Sequence, residues 1–279
     1  VDLQLQGVAA RHPAARPEAD PSLQPLDLKI GAGEQVAVIG ASGAGKTTLL
    51  QVLALAMRPA AGTLSVGELK PWALPRRALQ RLRGQLFLAP QLPPLPPRQR
   101  VVTAVLAGRL PAMSLLASVR SLFYPSDIPA AHDALDRFDV ADKLFERVDR
   151  LSGGERQRVG LARALVSPAR LWLVDEPLSA LDPVHARQAL DAMTQAARER
   201  GATLVTTMHQ VDLALAAFPR ILGLREGRLL FDLPTEQVDR ALLERLYAQH
   251  EDELDGGAGP QHASQPQAAV PAPVVMHCR

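Results

Sequence analysis

Cysteine is all but missing: the 279 residues hold one, Cys278, near the very end. Neither a disulfide framework nor a cysteine-rich metal site is therefore available, and a reducing cytosol is the expected setting. Long apolar runs are missing too. None approaches the roughly 18 residues needed to cross a bilayer, and the first residues lack the basic flank and apolar stretch of a signal peptide. Any membrane role is expected to come through a partner. Excess charge of one sign is also absent, since the formal charge is only +2 with both signs interspersed, which argues against a nucleic-acid partner. Lysine is scarce, with four in the chain, so the basic isoelectric point reflects arginine. No internal repeat is visible. What is present is apolar content of 47%, enough for one substantial core and a smaller attached subdomain.

The most informative stretch is VAVIGASGAGKTTLL, residues Val36 to Leu50. Val36 to Ile39 read as a buried strand, Gly40, Gly43 and Gly45 as a tight loop, and Lys46 to Leu50 as the start of a helix. Backbone N–H groups in such a loop converge on an anion together with the helix N-terminus; Lys46 would reach the β- and γ-phosphates and Thr47 would ligate Mg²⁺.

Along the chain, Leu3 and Leu5, then Leu26, Leu28 and Ile30, alternate with polar residues and predict an antiparallel β layer leading into the Val36 strand. The helix after the loop is expected to run to about Pro59. TLSVGEL reads as a short strand and turn, PRRALQRLRG as a basic helix or loop, and LFLAP as a strand. Gln91 and the stretch LPPLPPRQR follow; so many prolines can neither pair in a sheet nor continue a helix. From about 92 to 150 the pattern predicts an inserted helical subdomain. Strand and helix then alternate through GERQRVGLARALV, LWLVD, PVHARQALDAMTQAARER and ATLVTT, which implies a parallel sheet with ligands at the strand C-terminal ends. RILGLREGRLLFD predicts a hairpin turning at Glu226 and Gly227, and TEQVDRALLERLYAQH one last helix. Residues 251–279 read as a disordered tail.

A buried strand ending in acid, downstream of a phosphate loop, is what Mg²⁺-dependent phosphoryl transfer requires. LWLVDE supplies it, with Asp175 placed to hold the metal through its water shell and Glu176 to orient and deprotonate the attacking water. LSGGERQR, from Leu151, sets Ser152, Gly153 and Gly154 just ahead of a helix, a second anion site. One nucleotide rarely needs both sites from one molecule, so the second is expected to serve a nucleotide held by another copy.

Taken together, GASGAGKT, LSGGE, LWLVDE, SALD at Ser179 to Asp182 and His209 after ATLVTTM resemble the ATP-binding cassette family, the ATPase subunits of ABC transporters. The resemblance implies an α/β P-loop NTPase over residues 1–250, with a RecA-like parallel-sheet core, an antiparallel β subdomain and the inserted helical subdomain. It further implies ATP and Mg²⁺ as ligands, the triphosphate lying on Gly40, Ala41, Ser42, Gly43, Ala44, Gly45, Lys46, Thr47 and Thr48. Two copies would close head to tail, each ATP reaching Ser152, Gly153 and Gly154 of the other. Gln91 would sense the γ-phosphate and metal and contact the membrane partner, and His209 would clamp the γ-phosphate and attacking water. One departure concerns the adenine, which the family stacks on an aromatic residue; His12 occupies the matching position and offers a smaller ring.

Finer strings, VLAGRL, SLFYPSD, HQVDLA and RILGLREGRLLFD, look like the ATP-binding subunit of phosphonate importers. That resemblance implies an integral membrane permease, an extracytoplasmic phosphonate-binding protein reached through it, and a peripheral position on the cytoplasmic face of the inner membrane. Phosphate, phosphite, polar amino acid or methionine uptake is the alternative within importers. A repair ATPase would need a long coiled coil between Gln91 and Leu151, where only about sixty residues lie; a translation-type member would carry two cassettes; and a small-molecule kinase would have no use for LSGGE.

Overall fold

The computed structural model describes residues 1–11, 21–123 and 127–248, with the side chains of 122 and 123 left aside. His12, residues 124–126 of the SLFYPSD stretch and the expected tail at 251–279 lie outside the described residues.

Strands β1 (Leu3–Ala10) and β2 (Leu23–Ile30) pair antiparallel, with Leu5 opposite Leu28. The chain then enters β3 (Gln35–Ile39) and α1 (Lys46–Leu53), and returns as β4 (Ala61–Val66) to complete a three-stranded layer in the order β2-β1-β4. Helix α2 (Arg76–Arg83) leads to β5 (Leu86–Ala89). Helices α3 (Val101–Leu106), α4 (Leu115–Phe123) and α5 (Ile128–Asp136) form the helical block, followed by α6 (Gly153–Val166) and β6 (Leu171–Asp175). The last part contains α7 (Pro183–Arg200), β7 (Thr203–Met208), α8 (Val211–Ala217), β8 (Arg220–Arg225), β9 (Arg228–Pro234) and α9 (Arg240–Tyr247).

The main sheet runs β5-β6-β7-β3-β8-β9, parallel except for β9. Its central strands are buried on both faces, as expected of a parallel sheet covered on both sides. Strand alternation divides their side chains between two cores. Val36, Val38, Leu171 and Leu173 pack with α1 and the antiparallel layer; Ala37, Ile39, Trp172 and Val174 pack with α3, α5, α6 and α7. The helical block thus shares a core with one face of the sheet.

Three local expectations are met and two are corrected. PRRALQRLRG holds a helix, LFLAP a strand, and the β8–β9 hairpin turns at Glu226 and Gly227, both at positive φ (50° and 75°), the conformation that a two-residue primed turn demands. The helix after the phosphate loop, however, stops at Leu53 rather than near Pro59. Leu55 flips to φ 57°, and its carbonyl accepts from Arg83 Nε and Nη2 at 3.1 and 2.7 Å. The last segment is not one helix either: Thr235–Gln237 forms a single 3₁₀ turn, and α9 begins after Asp239, whose Oδ1 accepts from Leu242 N at 2.8 Å as an N-cap.

Candidate nucleotide site

Four loops meet at the C-terminal edge of the parallel sheet, where ligands of open α/β sheets bind. Residues 40–45 follow β3, Gln91 follows β5, Glu176 follows β6 and His209 follows β7.

In the first loop, glycine is required at particular places. A Cβ on Gly40 (φ 151°) would lie 2.0 Å from the Leu224 carbonyl oxygen, and one on Gly45 (φ 98°) 2.4 Å from that of Ser22. The hairpin turn closes on the loop, Gly227 N donating to Ala44 O at 3.0 Å. Lys46 opens α1, is 5% exposed, and donates Nζ to Gly40 O at 2.7 Å and Ala41 O at 3.1 Å, so its ammonium is held against the loop's own backbone. Thr47 is exposed at the loop's edge, whereas Thr48 turns into the core. Ser42 and Gly43, earlier in the loop, are exposed as well.

At the end of β6, Asp175 is buried and Glu176 takes a left-handed backbone (φ 46°). Both carboxylate oxygens of Glu176 are engaged: Gln91 Nε2 reaches Oε2 at 2.7 Å and His209 Nε2 lies 2.5 Å from Oε1. Three residues expected to work together, 85 and 33 positions apart in the chain, are therefore in contact. Burial on its own raises the Glu176 carboxyl, but the His209 contact and the Lys46 charge outweigh it and hold the group below the ordinary glutamate value.

Sequence reasoning passed over Thr207. Its Oγ1 donates to Asp175 Oδ1 at 2.6 Å and accepts from Glu176 N at 3.0 Å, fixing both acids at once. The register of β6 against β7 sets Asp175 opposite Thr207. The available signal was the run of threonines, Thr203, Thr206 and Thr207, in a wholly buried strand.

Ser152, Gly153 and Gly154 stand elsewhere. Ser152 N-caps α6 in a capping box: its Oγ accepts from Glu155 N at 3.2 Å and its N–H donates to Glu155 Oε2 at 2.7 Å. Ser152 and Gly153 are exposed, while a Cβ on Gly154 would meet Ala180 O at 3.1 Å, so the segment leans on SALD of its own chain. Neither the cleft at Glu176 and His209 nor that at Ser42 and Gly43 is lined by these three residues. Farther along α6, a Cβ on Gly160 would lie 2.5 Å from Pro93 Cγ, which ties this helix to the loop carrying Gln91.

Among the described residues no cluster of three or more His, Cys, Asp or Glu could hold a metal alone. The donors expected to hold the metal are oxygens: the Thr47 hydroxyl, the Asp175 carboxylate and the Gln91 amide. Such a sparse hard-donor set fits Mg²⁺ held largely by phosphate and water.

A glycine cradle with a buried lysine, facing an acid-tipped strand at the edge of a parallel sheet, defines a P-loop nucleotide-binding protein. The ABC transporter family model matches residues 23–179, and the chain belongs to that family. The Phosphonates import ATP-binding protein PhnC 2 of Albidiferax ferrireducens is 63% identical over 277 residues, covering 99% of each chain. The protein named Phosphonates import ATP-binding protein PhnC in a Polaromonas species is 62% identical over 281 residues, covering 100% of each. Among solved structures, the dimeric ATP-binding cassette MJ0796 bound to ADP and Pi superposes with a TM-score of 0.71 at 25% identity, covering 84% of this chain and 98% of that one. The expected α/β cassette fold and ATP-binding character both hold.

Proposed function

We propose that this chain hydrolyses ATP to drive phosphonate import, as the cytoplasmic-face subunit of an importer whose other parts are an integral membrane permease and an extracytoplasmic phosphonate-binding protein. The substrate rests on one observation, the similarity along the whole chain to phosphonate import ATP-binding proteins. The hydrolytic role is supported by the convergence of Gln91, Glu176 and His209 beside the Lys46 cradle.

In this reading residues 1–250 form the cassette, with the segment from about 92 to 150 as its helical subdomain. Residues Gly40 to Thr48 bind the triphosphate, with Lys46 exchanging its backbone carbonyl partners for phosphate oxygens. Thr47, Asp175 and Gln91 would hold Mg²⁺, which supplies charge neutralisation on the phosphates. Glu176, kept ionised by its surroundings, accepts a proton from the attacking water at a carboxylate oxygen, and His209 Nε2 orients the same group. Thr207 keeps Asp175 and Glu176 in place. Because Ser152, Gly153 and Gly154 line neither cleft around the chain's own cradle, they are free to complete the site of a second copy, head to tail. His12 would lie against the adenine.

Reconstitution with the cognate permease and binding protein tests the reading: ATP-dependent uptake of an alkylphosphonate is expected, with phosphate and amino acids ineffective. Amino acid uptake without a response to phosphonate would overturn the substrate and leave the hydrolase intact.

A further inference from the structure

The chain as a whole is nearly neutral, yet residues 58–83 hold six arginines and lysines and a single carboxylate, Glu68. Their placement is not that of a scattered solvated face. In α2, at about 100° per residue, Ala78, Leu79 and Leu82 occupy one side, while Arg76, Arg77, Arg81 and Arg83 with Gln80 fill an arc of about 160° opposite. Leu82 is buried and Leu79 packs against the core, so the cationic arc faces outward. Arg83 is spent on Leu55 O and on the Trp72 ring, 5.8 Å from its centroid. Arg76, Arg77 and Arg81 are exposed and make no ion pair or side-chain hydrogen bond among the described residues, and the same holds for Arg58 and Lys70 in the adjoining cleft beside Trp72.

An apolar surface begins close by. The C-terminal end of α2 touches the segment leading to α4: a Cβ on Gly84 would lie 3.4 Å from Pro111 Cβ. Four residues later, at most about 14 Å along the chain, α4 presents Leu115, Leu116 and Val119, which are 81%, 85% and 50% exposed. Exposed arginines on one helix, with exposed leucines on a second helix whose leading segment touches the first one's C-terminal end, are the chemistry of an interfacial membrane contact, cations for headgroup phosphates and aliphatic side chains for the acyl boundary.

We propose that α2 and α4 form a direct binding surface for an anionic lipid bilayer, so that this chain reaches the membrane through its own residues as well as through a permease. Nucleic acid would satisfy the arginines but has no use for the leucines. The surface shares no residue with the nucleotide site, so it stands or falls apart from the ATPase reading.

The test is co-sedimentation of the full chain, without permease, with phosphatidylcholine vesicles that do or do not contain phosphatidylglycerol. Binding is expected on the anionic vesicles alone, with release by high salt. Each cation at such a surface is worth about fivefold in partitioning, so Arg76→Glu, Arg77→Glu and Arg81→Glu combined should lower it by at least about a hundredfold. The triple lysine variant should retain it. Leu115→Ser with Leu116→Ser should weaken it as well. Unchanged ATP hydrolysis and thermal unfolding in each variant separate lost lipid contact from lost folding. Equal binding to both vesicle types, no binding to either, indifference to the arginine changes, or equally tight salt-sensitive binding to duplex DNA would each overturn the proposal.

Discussion

Replacing Thr207 by valine removes a single hydroxyl from a fully buried strand position while keeping the shape and β-branching of the side chain. Strand propensity and packing should not change, so the effect reports the two hydrogen bonds. One runs from Oγ1 to the Asp175 carboxylate at 2.6 Å and the other from Glu176 N to Oγ1 at 3.0 Å. Two groups lose their partner, the Asp175 carboxylate and the Glu176 N–H, each at a cost of about 1–3 kcal/mol, and water entering from the cleft recovers part of the sum, so about 2–4 kcal/mol is expected here. At about 2–4 °C per kcal/mol for a domain of this size, unfolding should move down by roughly 5–15 °C. Catalysis should suffer separately. Glu176 sits at φ 46° with its backbone N–H anchored to Thr207, and a base displaced by about 1 Å loses up to a hundredfold in kcat. The cradle itself is untouched, so KM for ATP should stay near its original value. Scanning calorimetry and steady-state phosphate release are the assays, with Thr207→Ser, which keeps the hydroxyl, as the rescue. A valine variant as stable and as fast as the original would refute the reasoning that this hydroxyl positions the two acids.

Lys46→Ala should weaken ATP binding by at least about tenfold, since a desolvated charge-assisted contact is lost; calorimetric titration reads it directly. Glu176→Gln should keep binding but slow hydrolysis by about 10²–10⁴ and trap a dimer in ATP and Mg²⁺, visible by size-exclusion chromatography; a monomer turning over at the original rate would contradict the assignment. The Glu176 carboxyl is held below its ordinary value, so the folded state binds fewer protons than the unfolded one. Its stabilisation is therefore complete above the ordinary glutamate range and lost as pH falls through the depressed folded value. The stability gap between the original chain and Glu176→Gln should accordingly shrink on acidification, and a gap that widens would contradict the shift. Gln91→Ala removes one of the two partners of the Glu176 carboxylate, and should lower kcat with little change in thermal unfolding, because the contact is exposed.

Much of this protein was legible from local pattern. The cradle from Gly40 to Thr47, the acid-tipped strand ending at Asp175 and Glu176, the hairpin at Glu226 and Gly227, and the alternation of Leu26, Leu28 and Ile30 each depend on neighbours a few residues away. Spacing alone records such constraints: glycine where a Cβ would strike backbone, apolar residues at a period of two, turn residues with positive φ. Other features were decided by contacts between distant segments. The helix after the cradle stops at Leu53 because Arg83, twenty-eight residues on, caps the Leu55 carbonyl. Thr207 matters because the register of β6 against β7 sets it beside Asp175. Gly160 is open to Pro93 only because the proline-rich loop folds back over α6. The meeting of Gln91, Glu176 and His209, and the separation of Ser152, Gly153 and Gly154 from them, follow from the strand order β5-β6-β7-β3. A sequence specifies which residues carry chemistry through short-range sterics and periodicity; which of them touch is fixed by sheet order and packing, and these are properties of the whole chain at once.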